Sequence, residues 1–236
     1  MDEIIRIFHI LNIKCTDEKL RKLSEYMEGI LKANKSINLT AITDRKEFIQ
    51  KHYVDSLLCA DLEEFLRAES IIDVGTGGGF PGIPLAIAFP DKEFTLIDSL
   101  RKRINIISDL SESLGILNVN AIHGRAEELA RKSGLRENFD LCISRAVANM
   151  STLSEYCLPF VKNGGAFIAY KGPECRKEIE DAVNAVNILG GKISGEKSIE
   201  IEGISFDHRL VIIHKIENTL SKYPRKAGIP SKEPIK

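Results

Sequence analysis

Two hydrophobic periods divide the chain. Over roughly its first 66 residues, apolar side chains recur at helical spacing. Ile4, Ile5, Phe8 and Leu11 make one set, and Leu20, Leu23, Met27, Ile30 and Leu31 a second. Thr16 stands before Asp17 and Glu18, which predicts an N-cap with acids in the first turn, where the helix dipole favours them. Asp44, with Glu47 three residues on, has the form of a capping box opening a third helix that carries Phe48, His52, Tyr53 and Leu57. From residue 70 the pattern changes to short apolar runs at Ile71–Val74, Phe94–Ile97, Val119–Ile122, Leu141–Ile143, Ala166–Ala169 and Leu210–Ile213. Helical patterns fill most intervals: Gly82–Ala88, Arg101–Leu114, Glu127–Lys132, Leu153–Val161 and Glu174–Leu189.

Runs that are apolar throughout and separated by helices predict parallel strands buried on both faces. Right-handed crossovers then give an α/β fold with a doubly wound, mostly parallel sheet. Lys192–Glu200 reads as a seventh strand, pairing antiparallel with Arg209–Lys215 through a loop at Gly203. The expected organisation is an N-terminal helical extension, residues 1–66, packed on a domain of residues 67–236 that ends in a basic tail.

Composition narrows the class. No stretch approaches the roughly 18 apolar residues of a membrane helix, and the start, MDEIIRIF, reads against a secretory signal. The five cysteines (Cys15, Cys59, Cys142, Cys157 and Cys175) are scattered and form no C-x-x-C pair. That pattern predicts reduced thiols, no metal site, no membrane and a cytoplasmic location. The formal net charge is −1, yet residues 215–236 hold six basic side chains against two acidic ones. A polyanion responds to such a local patch, so the net value does not exclude nucleic acid.

The most informative segment is Ile71–Pro84, IIDVGTGGGFPGIP. A strand ends at Val74, a glycine loop follows, and Pro81 and Pro84 stand where a helix begins. Glycine lets the backbone approach a ligand, and a helix N-terminus offers N–H groups to an anionic end. Asp98 closes the next strand, where a carboxylate can accept from ribose hydroxyls. A P-loop is excluded, because Ile83 and Pro84 stand in place of Lys and Ser/Thr. A dinucleotide fits Gly77, Gly79 and Gly82 as G-x-G-x-x-G but leaves Asp73 and Gly75 unexplained. The register Asp73, Gly75, Gly77, Gly79 starts at the strand end and suits S-adenosyl-L-methionine, which carries one carboxylate and no pyrophosphate. Seven strands with an antiparallel final pair also suit a class I methyltransferase, with its Rossmann-like sheet, better than a dehydrogenase.

DVGTGGGFPGIPLAI, LIDSLRKR, GRAEEL, ISRAVA, AYKG and YPRKAGIPSKEPI, with NLTAITD and HYVDSL upstream, together resemble the glucose-inhibited division protein B (GidB, RsmG) family. The resemblance covers about residues 34–234. It implies methyl transfer from S-adenosylmethionine to N7 of a guanine in 16S ribosomal RNA, with that RNA or the small ribosomal subunit as partner. It also implies cofactor contacts at Gly75, Phe80, Ala126, Glu127 and Arg145, beside Gly77 and Asp98 from the loop register and the spacing. Glu127 is equally readable as a helix-start acid facing the dipole.

Guanine N7 carries an available lone pair beside O6, so methyl transfer to it needs alignment and charge stabilisation, not a base. Arg145, at a strand end, is the candidate for that work; the competing reading is an ion pair with Asp140 or Glu127. Lys171, ending the fifth strand, is a second candidate facing base or phosphate. His52 and Asp55 share a helical face and are placed near the pocket by the resemblance. For RNA, Arg101, Lys102 and Arg103 open a helix where the dipole disfavours cations, and Arg225 and Lys226 lie in the basic tail. Two other functions remain open on the sequence. They are an NAD-dependent oxidoreductase, which cofactor binding would separate, and a non-catalytic ribosome-associated RNA-binding factor, which methyl incorporation would separate.

Overall fold

The computed structural model describes residues 1–145, 148–198 and 208–236. The expected loop at Gly203 and the end of the expected strand Lys192–Glu200 lie outside the described residues. The chain opens with α1 (Asp2–Ile10), α2 (Asp17–Asn34) and α3 (Arg45–Phe48), then a π-helical turn (Ile49–Val54), a 3-10 turn (Leu57–Asp61) and α4 (Glu63–Arg67). Next come β1 (Ser70–Val74), α5 (Gly82–Ala88), β2 (Glu93–Asp98), α6 (Arg101–Ser113), β3 (Val119–His123), α7 (Ala126–Leu129) and β4 (Phe139–Arg145). The rest is α8 (Met150–Cys157), β5 (Val161–Lys171), α9 (Arg176–Ile188), β6 (Gly191–Lys197), β7 (Arg209–Lys215) and α10 (Ile229–Lys232).

The seven strands form one sheet in the order β3-β2-β1-β4-β5-β7-β6. The first five run parallel, and β7 lies antiparallel between β5 and β6. Period-2 alternation splits the side chains between two cores. Ile71, Leu141, Ile143, Ile168 and Leu210 face one side, with the N-terminal helices and α5. Ile72, Cys142, Phe167, Ala169 and Val211 face the other, with residues of α8 and α9. Strands covered on both faces have no polar side to show, which is why their sequences read as unbroken apolar runs. Chain order reverses direction between β1 and β4, so a crevice opens beyond their carboxyl ends.

Local differences have local causes. The buried stripe of α1 is Ile4, Ile7 and Phe8 and leaves Ile5 exposed, because i, i+3 and i+4 share a face and i+1 does not. Thr16 caps α2 through Lys19 N, and Asp44 caps α3 through Glu47 N at 2.9 Å. The third helix is not one helix, since a π-turn and a 3-10 turn replace its continuation. α8 starts earlier than the apolar pattern implied because Asn149 accepts from Thr152 N. It stops at Cys157, where Pro159 forces a 3-10 turn before β5. α7 is a single turn, shorter than the expected Glu127–Lys132.

Beyond β7 the tail is not free. Arg131 and Arg136 donate to the carbonyls of Thr219, Leu220, Ser221, Lys222, Tyr223 and Pro224, which hold the tail as a strap beside α7 and α8.

Candidate active site

Asp73 shapes the loop after β1. Its fully buried Oδ2 accepts from Thr76 Oγ1 at 2.7 Å and Gly82 N at 2.9 Å, folding the loop back on its own strand. Burial pushes this carboxyl up to about 6. At Gly79, with φ +89°, an added Cβ would stand 2.3 Å from the Tyr26 hydroxyl oxygen. At Gly77, with φ +61°, an added Cβ would meet nothing within 4 Å, so glycine there serves the backbone turn beside open space.

Two clefts meet at Gly75. The smaller, of about 130 Å³, is lined by Gly75, Asp98, Gly124, Ala126, Glu127 and Tyr156. Asp98 accepts from Gly77 N at 3.1 Å, Leu100 N at 2.8 Å and Arg103 Nη1 at 3.3 Å. A carboxylate offers about four acceptor positions, so about one is left for a ribose hydroxyl; accepting from both hydroxyls requires Arg103 to let go. Glu127 is buried, and its Oε1 accepts from Gly228 N at 2.9 Å.

The larger cleft, of about 380 Å³, includes His52, Asp55, Thr76, Gly77, Phe80 and Arg145 among its lining residues. Arg145 pairs with neither Asp140 nor Glu127, which corrects the partners expected for it. Its Nη1 donates to Asp55 Oδ2 at 2.7 Å and Lys51 O at 3.0 Å, and its Nη2 to His52 Nδ1 at 3.1 Å. All three acceptors come from the π-turn and the residue after it. Such turns widen a helix and re-aim its side chains. Asp140 is instead engaged at the far end of its strand by Ser70, Glu69 N and Lys162.

The guanidinium has five N–H groups and accepts nothing. Three are engaged among the described residues and two remain. Because Arg145 can only donate, His52 Nδ1 is the acceptor and Nε2 carries the proton, donating to Thr40 Oγ1 at 2.7 Å. Burial first, then the Arg145 charge, pushes His52 down to about 3, which keeps the ring neutral. That ring stacks on Phe80, with centroids 4.4 Å apart and planes 5° from parallel. The Arg145 guanidinium lies 5.6 Å from the same Phe80 ring. Asp55 is also bound by His208 Nδ1 at 2.8 Å. His52 and Asp55 are thus joined through Arg145.

Other expected residues stand elsewhere. Lys171 Nζ donates to Ala148 O at 2.9 Å and Glu178 Oε1 at 2.6 Å, so its charge is engaged away from the crevice lining. Arg103 is turned to Asp98, while Arg101 and Lys102 are exposed at the start of α6. Arg225 is clamped to Glu155, which corrects the picture of a free basic arm, and Lys226 is exposed. Sequence reasoning missed Thr40, Tyr156, Glu155 and His208; of these only Thr40 lay in a singled-out motif, NLTAITD. Among the described residues no helix is long and apolar enough to cross a membrane, and no cluster of three His, Cys, Asp or Glu could hold a metal.

The sheet order and the crevice at its switch point define a class I methyltransferase fold. Solved structures share it. An O-methyltransferase family protein from Burkholderia thailandensis aligns with TM-score 0.53 at 15% identity, over 69% of this chain and 55% of its own. TYW2 of M. jannaschii, solved in complex with AdoMet, aligns with TM-score 0.50 at 18% identity, over 66% and 72%. Sequence comparison then gives the family: GidB, rRNA small subunit methyltransferase G, matches residues 19–202, and the chain belongs to it. Ribosomal RNA small subunit methyltransferase G of Clostridium perfringens is 48% identical over 96% of this chain and 95% of its own length. Its namesake from Alkaliphilus metalliredigens is 46% identical over 97% and 94%.

Proposed function

We propose that this protein methylates N7 of a guanine in 16S ribosomal RNA, working in the cytoplasm on that RNA or on the small subunit. The observation that carries the reading is the meeting of two clefts at Gly75. One end offers the Asp98 carboxylate, and the other an arginine with two N–H groups unengaged among the described residues. S-adenosylmethionine supplies an electrophilic methyl group, and guanine N7 takes it without prior deprotonation.

The residues present fit that cofactor. Asp98 has an acceptor position for a ribose hydroxyl, and Ala126 and Glu127 border the adenosine end. The space at Gly77 admits a ligand against the backbone. Arg145 lines the larger cleft, donating to a carboxylate or to guanine O6 and so holding N7 in line with the methyl group. Phe80 and His52 form a flat wall for it. Arg101, Lys102 and Lys226 are the exposed cations offered to phosphate. Family membership decides against the dehydrogenase reading.

The test is transfer of tritiated methyl from S-adenosylmethionine to RNA from cells lacking this protein, followed by nucleoside mapping. Label in N7-methylguanosine is expected. Label in another nucleoside refutes the position, and RNA binding without label returns the chain to the non-catalytic alternative.

A further inference from the structure

The buried acids outside the crevice point to the strap. Glu155 in α8 has no exposed surface. It accepts from Arg225 N at 2.6 Å, from Arg225 Nε at 3.0 and 3.1 Å, and from Arg225 Nη2 at 2.6 Å. A carboxylate this deep is costly unless paired, and the partner that Glu155 has comes from the strap. Three residues on, Gly228 turns at φ +84° and aims its N–H at Glu127 Oε1. Pro230 is buried, and its carbonyl accepts from Thr152 Oγ1 at 2.9 Å. Consecutive residues of α8 therefore serve two purposes: Glu155 grips the strap, and Tyr156 lines the smaller cleft beside Glu127. The strap runs into YPRKAGIPSKEPI, beyond residues 19–202 of the family model.

We propose that Arg225 and Glu155 are positioning residues of the cofactor site, acting through Gly228 to hold Glu127 against the adenosine end. This rests on the reading that the smaller cleft takes the adenosine of S-adenosylmethionine. If the docked strap favours cofactor binding, then cofactor binding favours the docked strap by the same factor, since linkage is reciprocal.

The test uses the full chain and two readouts. Calorimetry gives the Kd for S-adenosylmethionine of wild type, Arg225→Ala and Gly228→Val. Gly228→Val strains the φ +84° turn where an added Cβ meets no atom within 4 Å, and it leaves the Arg225–Glu155 ion pair in place. Amide exchange of residues 219–230 is followed in wild type with and without S-adenosylmethionine. Arg225→Ala should raise Kd about tenfold, within the usual 5–150-fold range of coupling, and Gly228→Val should raise it less. Saturating cofactor should slow exchange at Gly228 by the factor that Arg225→Ala costs in affinity. Unchanged Kd in a folded Arg225→Ala, or strap exchange indifferent to cofactor, overturns the proposal while wild-type binding keeps the cofactor reading intact. Absence of wild-type binding removes both. If Arg225→Ala does not fold, Gly228→Val and the wild-type exchange decide the matter.

Discussion

Arg145 and Arg225 are both arginines that meet a buried carboxylate from a distant part of the chain, and the contrast between them separates chemistry from scaffolding. Arg145 meets Asp55 through one nitrogen and spreads three N–H groups over three acceptors, leaving two without a partner among the described residues, on a side chain that lines a cleft. Arg225 sets its Nε and Nη2 against both oxygens of Glu155 and adds its backbone N–H. Donor count does not separate them, since three side-chain N–H groups of Arg225 have no partner among the described residues; what marks Arg225 as scaffolding is that it lines neither cleft and sets its fork on a buried carboxylate.

The predictions probe that distinction. Gly77→Val should have the largest effect, abolishing cofactor binding while the fold persists in part, because it strains the φ +61° turn and fills the open space beside it. Calorimetry on a folded variant checks this; near-normal affinity would place the cofactor elsewhere. Arg145→Lys keeps the charge but loses the planar fork. It should lower the rate at saturating cofactor and RNA on the order of 10²-fold, the cost of misplacing the reacting base.

Asp98→Ala comes next. Losing a charged acceptor worth about 1.5–3 kcal/mol should weaken cofactor binding roughly 10- to 150-fold with less effect on the fold. Equal affinity would remove Asp98 from the site. Replacing Arg101 and Lys102 by Ala should leave cofactor affinity alone and weaken RNA binding. The slope of log K against log salt should shrink by about 0.7–0.9 for each phosphate that is no longer neutralised. An unshifted slope would make both residues mere solvated surface.

The smallest effect concerns Asp73. Its folded pKa, about 6, is raised above the ordinary value of 3.8, so between those pH values the folded state holds the extra proton. Its contribution to stability is therefore greatest at low pH and falls as pH rises from about 4 to about 6. Denaturant titrations of wild type and Asp73→Asn should show this slope only in wild type; equal slopes would contradict the assignment.

What the sequence made legible follows from locality. Strand runs, the glycine loop, the caps at Thr16 and Asp44, and Asp98 at a strand end depend on neighbours a few residues away. The strand assignment could also lean on burial of both sheet faces. The partners of the two arginines depend on residues far off in the chain: Asp55 lies 90 positions from Arg145, and Glu155 lies 70 from Arg225. No spacing rule spans such gaps, so Asp140 and Glu127 looked like natural partners for Arg145, and Arg225 looked free for phosphate. The π-turn was hidden for a related reason. Phe48, His52, Tyr53 and Leu57 fit an ordinary helical stripe, and only packing against Phe80 and Arg145 shows the wider turn.

The difference between the arginines is tested most directly by single-turnover methyl transfer to RNA, with Arg145→Lys and Arg225→Ala measured side by side as S-adenosylmethionine is raised. The deficit of Arg225→Ala should close with increasing cofactor, because that residue acts through affinity. The deficit of Arg145→Lys should persist at saturation, because that residue acts where the methyl group moves. If the Arg145→Lys deficit closes as well, Arg145 is only a binding residue, and N7 is aligned with the methyl group by some other side chain.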